Sequence, residues 1–276
     1  MKKYEDHVLI YLDLETTGLS PFKHEIFEIA MVANDERFSE LVRTKVPMHI
    51  QKITSISQKM VDDLGDTPCK VCAKLCTWLA NLGSKQIWIG HNMKLFDMPF
   101  LALFIARYWP EDQPLPKFDL LVDTLIWSRK LNRPKHSLSV LYKQCTNTEI
   151  VGAHRALQDA LAVKSVLEST WCATQLIHPL STGISYDCMY REIEERCKRL
   201  APHLVGILLM SHTNIGKPDT CKSKKRKSDD AHDDKVSKVY RPETDSTCVS
   251  CQMHTSKYFV HVCTKCPLIQ SHMQTK

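Results

Sequence analysis

Asp13 and Glu15 stand one residue apart at the end of the apolar run Val8-Leu9-Ile10-Tyr11-Leu12. That run is short, rich in β-branched and aromatic side chains, and bounded by charge and by Gly18, so it reads as a buried strand. Side chains at i and i+2 of a strand point to the same face. The two carboxylates can therefore chelate one hard cation, such as Mg²⁺ or Mn²⁺, through oxygen. A lone D-x-E is more often a solvated strand terminus, so the chemistry requires further acids converging from elsewhere.

Two segments offer them. His91-Asn92-Met93-Lys94-Leu95-Phe96-Asp97 follows a short apolar stretch and places Asp97 at the opening of a helix, where an acid also simply complements the helix N-terminus. His154-Arg155-Ala156-Leu157-Gln158-Asp159-Ala160 pairs a histidine with an acid five residues on. In a regular helix those two side chains diverge by about 140°. They share a cleft more easily if His154 lies in the loop or first turn, with Gly152 as the hinge. Asp123-Thr124 reads as a helix N-cap instead. Trp78, Trp88, Phe100, Leu101 and Phe104 read as core, and Cys69, Cys72 and Cys76 as packing on one helical face.

The elements that must position these groups follow from periodicity and punctuation. Strands are expected at 26–33 and near 38–46, joined by the Asn34-Asp35-Glu36 turn, so that the chain opens as three hairpin-linked strands. Ser55 or Ser57 caps a helix through Val61, and Pro68 starts another that stops at Gly83. Gln86 to Gly90 is a strand, and helices are expected around 96–108, from after 122 to 130, at 137–144 and at 153–172, with a short strand at 118–122. Strands first, then strands interleaved with helices, imply an α/β fold with a mixed sheet covered by helices. Met189, Ile193, Leu200 and Leu204 keep helical spacing across 186–210, interrupted by Pro202, so one or two helices dock on the main domain.

Three ordered motifs carry a family resemblance. Asp-Leu-Glu-Thr-Thr-Gly-Leu at 13–19, His-Asn-x-x-x-Phe-Asp at 91–97 and His-Arg-Ala-Leu-x-Asp-Ala at 154–160 resemble the exonuclease motifs of the DEDD superfamily. Their order is similar to that of the DnaQ-like and TREX-like 3′→5′ exonucleases, over residues 7 to 172. A histidine five before the last acid resembles the DEDDh branch. Arg155 cannot stand in for the tyrosine of the other branch. The resemblance implies a ribonuclease H-like fold with a mixed five-stranded sheet. It also implies two Mg²⁺ or Mn²⁺ ions held by Asp13, Glu15, Asp97 and Asp159, with His154 as general base. By the same resemblance Leu14, Thr16, Thr17, Leu19 and Asn92 contact the terminal nucleotide. The residue types suit phosphodiester hydrolysis, in which two hard cations about 3.5 to 4 Å apart stabilise the attacking and leaving oxygens. A histidine titrating near neutrality can take a proton from water.

Composition bounds the rest. At 276 residues and 43% hydrophobic content the chain can bury a sizeable core, in one large domain or in a domain plus appendages. The net charge of +6 is uneven: 21 Lys+Arg face 20 Asp+Glu over 1–178, leaving 16 against 11 beyond. Lys2-Lys3-Tyr4-Glu5-Asp6 precedes only five apolar residues before Asp13, so an intracellular chain without a membrane span is expected. Its 12 cysteines are then reduced thiols or metal ligands. The expected organisation is an exonuclease domain at 1–178, a helical extension at 179–210, a disordered linker at 211–245 and a small zinc module at 246–276. In the last, Cys248-x2-Cys251 and Cys263-x2-Cys266 have the spacing of a closed, structural Zn²⁺ site, with His254, His261 and His272 as substitute ligands.

The reading is a metal-dependent 3′→5′ exonuclease acting on nucleic-acid ends, with DNA favoured over RNA. One rival is an RNA exonuclease. The other is a nucleic-acid or chromatin interaction protein that uses the fold as a scaffold, with a protein partner on the C-terminal region. The cluster Lys222-Ser223-Lys224-Lys225-Arg226-Lys227 reads as a nuclear-import signal or nucleic-acid tether, giving a nuclear chain with a share in the cytoplasm. Deleting 222–227 should abolish nuclear accumulation of a fluorescent fusion; a deletion that stays fully nuclear rejects the import reading.

Overall fold

The computed structural model describes residues 4–131, 135–174 and 178–213, and two short strands at 247–248 and 253–254. The chain opens as a meander of β1 (Val8–Thr16), β2 (Ile26–Ala33) and β3 (Glu36–Leu41). β1 pairs antiparallel with β2, and β2 with β3. Asn34 takes φ 52° in the tight turn, a left-handed conformation that asparagine tolerates. β4 (Gln86–Gly90) adds parallel to β1, and β5 (Leu120–Asp123) parallel to β4, giving the order β3-β2-β1-β4-β5. The mixed five-stranded sheet expected from the sequence is therefore present, with β1 at its centre.

Alternation along each strand divides the core in two. Ile10, Leu12, Leu14, Met31, Trp88 and Leu121 face one layer, and Tyr11, Val32, Ile87, Ile89, Leu120 and Val122 the other. The first layer is closed by α3 (Pro68–Asn81) and α4 (Asp97–Tyr108). The second is closed by α5 (Thr124–Lys130), α6 (Leu138–Thr146) and α7 (Ala156–Thr174). Because Asp13 and Glu15 keep the parity of Tyr11, they lie on the α7 side of the sheet.

Two short helices precede α3 in the chain. The expected strand near 38–46 ends at Leu41, and Met48–Thr54 forms a helix, α1, behind Pro47. Seven residues are too few to show a helical period in sequence. α2 (Gln58–Leu64) is capped by Ser57, whose Oγ accepts the Met60 N–H at 3.1 Å. α3 ends at Asn81, with Leu82 as its cap and Gly83 following at φ 80°. Cys72 and Cys76 of α3 are buried packing residues.

Beyond α7 come a 3₁₀ turn at Pro179–Thr182, α8 (Tyr186–Leu200), a second 3₁₀ turn at Pro202–Leu204 and α9 (Val205–Thr213). Pro202 breaks the run, as its missing N–H requires. Tyr186, Met189, Tyr190, Ile193, Cys197, Leu204 and Leu208 join the same apolar layer as α3 and α4. Near the C-terminus, β6 (Thr247–Cys248) pairs antiparallel with β7 (Met253–His254). The linker beyond Thr213, the basic cluster at 222–227, and Cys251, Cys263 and Cys266 of the expected zinc module lie outside the described residues. Among the described residues, no helix is long and apolar enough to cross a membrane.

Ile193 is 2% exposed within this layer. Truncating it to alanine should lower the unfolding free energy by about 2 to 4 kcal/mol, through lost transfer energy and an unfilled cavity. Urea denaturation reads the change.

Candidate active site

β1 delivers the first two acids. Asp13 lies opposite Ala30 and Glu15 opposite Glu28 on β2, and the pairing register shifts between Glu15 and Thr16. The next turn is held by its own side chains. Thr16 Oγ1 donates to the Gly18 carbonyl at 2.8 Å, and Thr17 Oγ1 accepts the Glu25 N–H at 3.0 Å. Gly18 permits the fold-back, since a Cβ there would fall 2.4 Å from the His24 ring. Thr16 and Thr17 are buried, Leu19 is half-buried, and the Leu14 side chain points into the core.

Asp97 arrives on α4 and is 2% exposed. It opens α4, and the backbone N–H groups of Asp97 itself and of Leu14 on β1 lower its carboxyl pKa against burial. The loop before it is organised from β5: Asp123 accepts the N–H groups of Asn92 and Lys94, both at 3.0 Å, while capping α5 through Leu125 at 2.9 Å. Asn92 takes φ 61°, and its carbonyl accepts the N–H of both Leu95 and Phe96. This turn accommodates three residues between Asn92 and Phe96. Asp123 thus caps its helix, as the sequence reading had it, and also fixes the loop that aims Asp97.

His154 and Asp159 come together because His154 precedes the helix. α7 begins at Ala156, three residues later than periodicity places it. The loop before it takes φ 73° at Gly152 and φ 64° at His154. The His154 N–H donates to Asp159 Oδ2 at 3.1 Å. One ligand atom from each of Glu15, His154 and Asp159 lies within 4.8 Å of the others.

A fifth acid, Glu28, stands beneath this cluster and was not singled out in the sequence. It is 1% exposed. Arg155 Nη2 donates to Glu28 Oε1 at 2.9 Å, Arg155 Nε reaches both carboxylate oxygens at 3.2 and 3.4 Å, and the Ala156 N–H donates to Oε2 at 3.0 Å. The signal was available: one acid within the otherwise apolar Ile-Phe-Glu-Ile-Ala-Met-Val-Ala strand. A charge so placed must be paired.

Electrostatics follow from this crowding. Burial raises Asp13 well above the carboxylate range, and Asp97, Asp159, Glu15 and Glu28 push it further. Glu15 is raised to about 8 by burial and then by Asp159, Glu28 and Asp97, with Arg155 opposing. Asp97 is raised to about 8 by burial, its two backbone donors opposing and Asp123 adding repulsion. Asp159 is raised by burial, against the His154 N–H. Acids forced together in this way favour either protons or a cation among them. The donor set is all carboxylate oxygen with one imidazole, which suits Mg²⁺ or Mn²⁺.

Residues 10–167 match the RNase_T family model, described as Exonuclease. The chain is similar to the PolC-type DNA polymerase III of Oceanobacillus iheyensis, 32% identical over 176 residues, covering 59% of this chain and 11% of that protein. The PolC-type polymerase of Mycoplasma pneumoniae is 29% identical over 176 residues, covering 60% and 12%. The chain thus spans about a ninth of the length of these relatives. Its fold is similar to E. coli Exonuclease I in complex with a dA16 oligonucleotide, with TM-score 0.52, 16% identity, and coverage of 62% of this chain and 42% of the other. It is also similar to the zinc-bound form of an E. coli ExoI–ssDNA complex, with TM-score 0.53, 17% identity, and coverage of 63% and 42%.

Raised carboxyl pKa values mean that the metal-free folded state binds more protons than the unfolded state. That stabilisation is full below the ordinary carboxylate range and is lost as pH rises toward about 8, the value for Glu15 and Asp97. The melting temperature in EDTA should therefore fall between pH 5 and pH 8, by on the order of 5 °C. Mg²⁺ should restore it more at pH 8 than at pH 5. Asp13→Asn, which removes one of the repelling charges, should raise the metal-free melting temperature at pH 8 and shrink the Mg²⁺ increment. Differential scanning calorimetry measures both.

Proposed function

The chain belongs to the exonuclease family whose model spans residues 10–167, and on that premise we propose that it is a divalent-metal-dependent 3′→5′ exonuclease. The observation that carries this reading is the convergence of Asp13, Glu15, Asp97, His154 and Asp159 from three separate segments. In this proposal the four carboxylates hold two Mg²⁺ or Mn²⁺ ions. Such ions, when bound, stabilise charge on the attacking and leaving oxygens of an in-line displacement.

The chain's own groups do the rest. His154 is exposed on its loop, so a ring nitrogen can receive a proton from the attacking water. The water oxygen bonds to phosphorus, the P–O3′ bond breaks, and the leaving O3′ takes a proton from solvent water. The products are a 5′-mononucleotide and a strand one nucleotide shorter with a free 3′-hydroxyl. The His154 N–H bond to Asp159 keeps that ring beside the carboxylates. The turn after β1, already fixed by its threonines, presents backbone and Leu19 to the terminal nucleotide, and Asn92 is the contact proposed from the loop after β4. Leu14 contributes its backbone, since its side chain is in the core.

DNA is proposed as the substrate because the similar proteins are DNA polymerases and a nuclease bound to DNA oligonucleotides. The Cys248/Cys251/Cys263/Cys266 group is proposed as a structural zinc site that adds a nucleic-acid or protein contact. The 222–227 cluster is proposed as the address to the nucleus.

End-labelled DNA and RNA oligonucleotides incubated with Mg²⁺, Mn²⁺ or EDTA test the reading. The expected result is a ladder shortening from the 3′ end, faster on DNA, absent in EDTA and with a blocked 3′ end. Asp13→Ala and Asp159→Ala should each reduce the rate by at least about 10³-fold while the protein stays folded. A variant that digests at the wild-type rate sinks the assignment, and faster cleavage of RNA reverses the substrate.

A further inference from the structure

We propose that the Glu28–Arg155 pair is a positioning device that sets the affinity of the carboxylate cluster for its divalent cations. The proposal rests on reading that cluster as a metal centre. The two residues adjoin the cluster without being among its proposed metal ligands.

Glu28 grips the start of α7 at two consecutive residues. The Arg155 guanidinium engages both of its oxygens, with the Nη2–Oε1 contact at 2.9 Å, and the Ala156 N–H adds a third donor at 3.0 Å. A bidentate guanidinium–carboxylate contact fixes angle as well as distance, whereas apolar packing of a helix on a sheet tolerates sliding. His154 directly precedes the gripped pair, and Asp159 follows it by one helical turn. The loop leading in has two left-handed residues, Gly152 and His154, so it does not hold a regular path by itself. Glu28 therefore registers the histidine and the last acid onto the strand pair that carries Glu15.

Charge gives the second half of the argument. Glu28 is the direct cross-strand neighbour of Glu15, and like charges so placed repel. Arg155 cancels that fifth negative charge on the spot. The Arg155 side chain is 37% exposed while Glu28 is buried, so the cation lies between the buried acid and solvent. Removing either partner changes both the placement of α7 and the field at Glu15.

The test uses Glu28→Gln, which keeps size and an acceptor for the Ala156 N–H, and Arg155→Lys, which keeps charge and loses the fork. Mn²⁺ binding to the full chain is measured by calorimetry, folding by circular dichroism, and kcat and KM on a labelled oligonucleotide. Glu28→Gln should weaken Mn²⁺ binding by at least about tenfold, as loss of groups that orient metal ligands does. Arg155→Lys should weaken it measurably less. In both, kcat should fall while KM for the oligonucleotide stays within about twofold, since the lost interaction is not made with substrate. Folded variants that bind Mn²⁺ within twofold of the wild type overturn the positioning role and leave the metal centre standing. Should Glu28→Gln fail to fold, Arg155→Lys decides alone. Absence of Mn²⁺ binding by the wild-type chain overturns the metal centre and this proposal with it.

Discussion

Repulsion among carboxylates is the constraint around which this domain is built. Asp13, Glu15, Asp97 and Asp159 are pushed toward protonation by burial and by one another. Left to themselves, such groups would separate into water, because an isolated buried charge costs far more than any single contact returns. They stay together because their backbones are committed elsewhere. β1 is hydrogen-bonded on both sides, to β2 and β4, and its alternate side chains fill an apolar layer. Each fully buried Ile or Leu there contributes about 1.5 to 3 kcal/mol, and the summed layer outweighs the strain at the strand's end.

Topology then brings the remaining groups to the same edge. β1, β4 and β5 run parallel, so their carboxyl ends lie together. In open α/β sheets this is where loops assemble sites. The edge receives Glu15 from β1, the 91–96 loop from the end of β4, and Asp123 from β5. Asp123 is the least conspicuous of these. Its carboxylate is spent on backbone N–H groups, two of them in the loop that aims Asp97. A group can be buried, acidic and beside the site while holding the site's frame.

What the sequence made legible was whatever depends on local period and on paired spacing. Asp13 and Glu15 share a face because a strand repeats every two residues, and no tertiary information is needed for that. Apolar period alone starts the last long helix at 153. The divergence of about 140° between His154 and Asp159 in a regular helix instead favours His154 in the loop or first turn, and the helix begins at Ala156. The long-range pairings were hidden. Glu28 and Arg155 lie 127 positions apart and meet only through the register of β2 and the docking of α7. Even so, a lone acid in an apolar strand is a buried charge in need of a partner, and Arg155 was in plain view. α1 was missed for a different reason: seven residues behind a proline present no period.

The chain beyond residue 167 is also part of the site's support. α8 touches the 91–96 loop twice, through Lys94 Nζ to Glu192 at 2.9 Å and through Arg196 Nη1 to the Leu95 carbonyl at 3.0 Å. The Arg196 guanidinium also lies 5.8 Å from the Phe22 ring, just past the turn that follows β1. These polar contacts by themselves hold little, since exposed ion pairs are worth about 0 to 1 kcal/mol. What keeps α8 in place is Tyr190, Ile193 and Cys197, buried in the layer that also receives α4. The order of causes therefore runs from apolar burial to helix placement to loop placement. Asp97 inherits its position from both ends, β5 through Asp123 and α8 through Leu95. A segment outside the family's matched span thus helps determine where one acid of the cluster points.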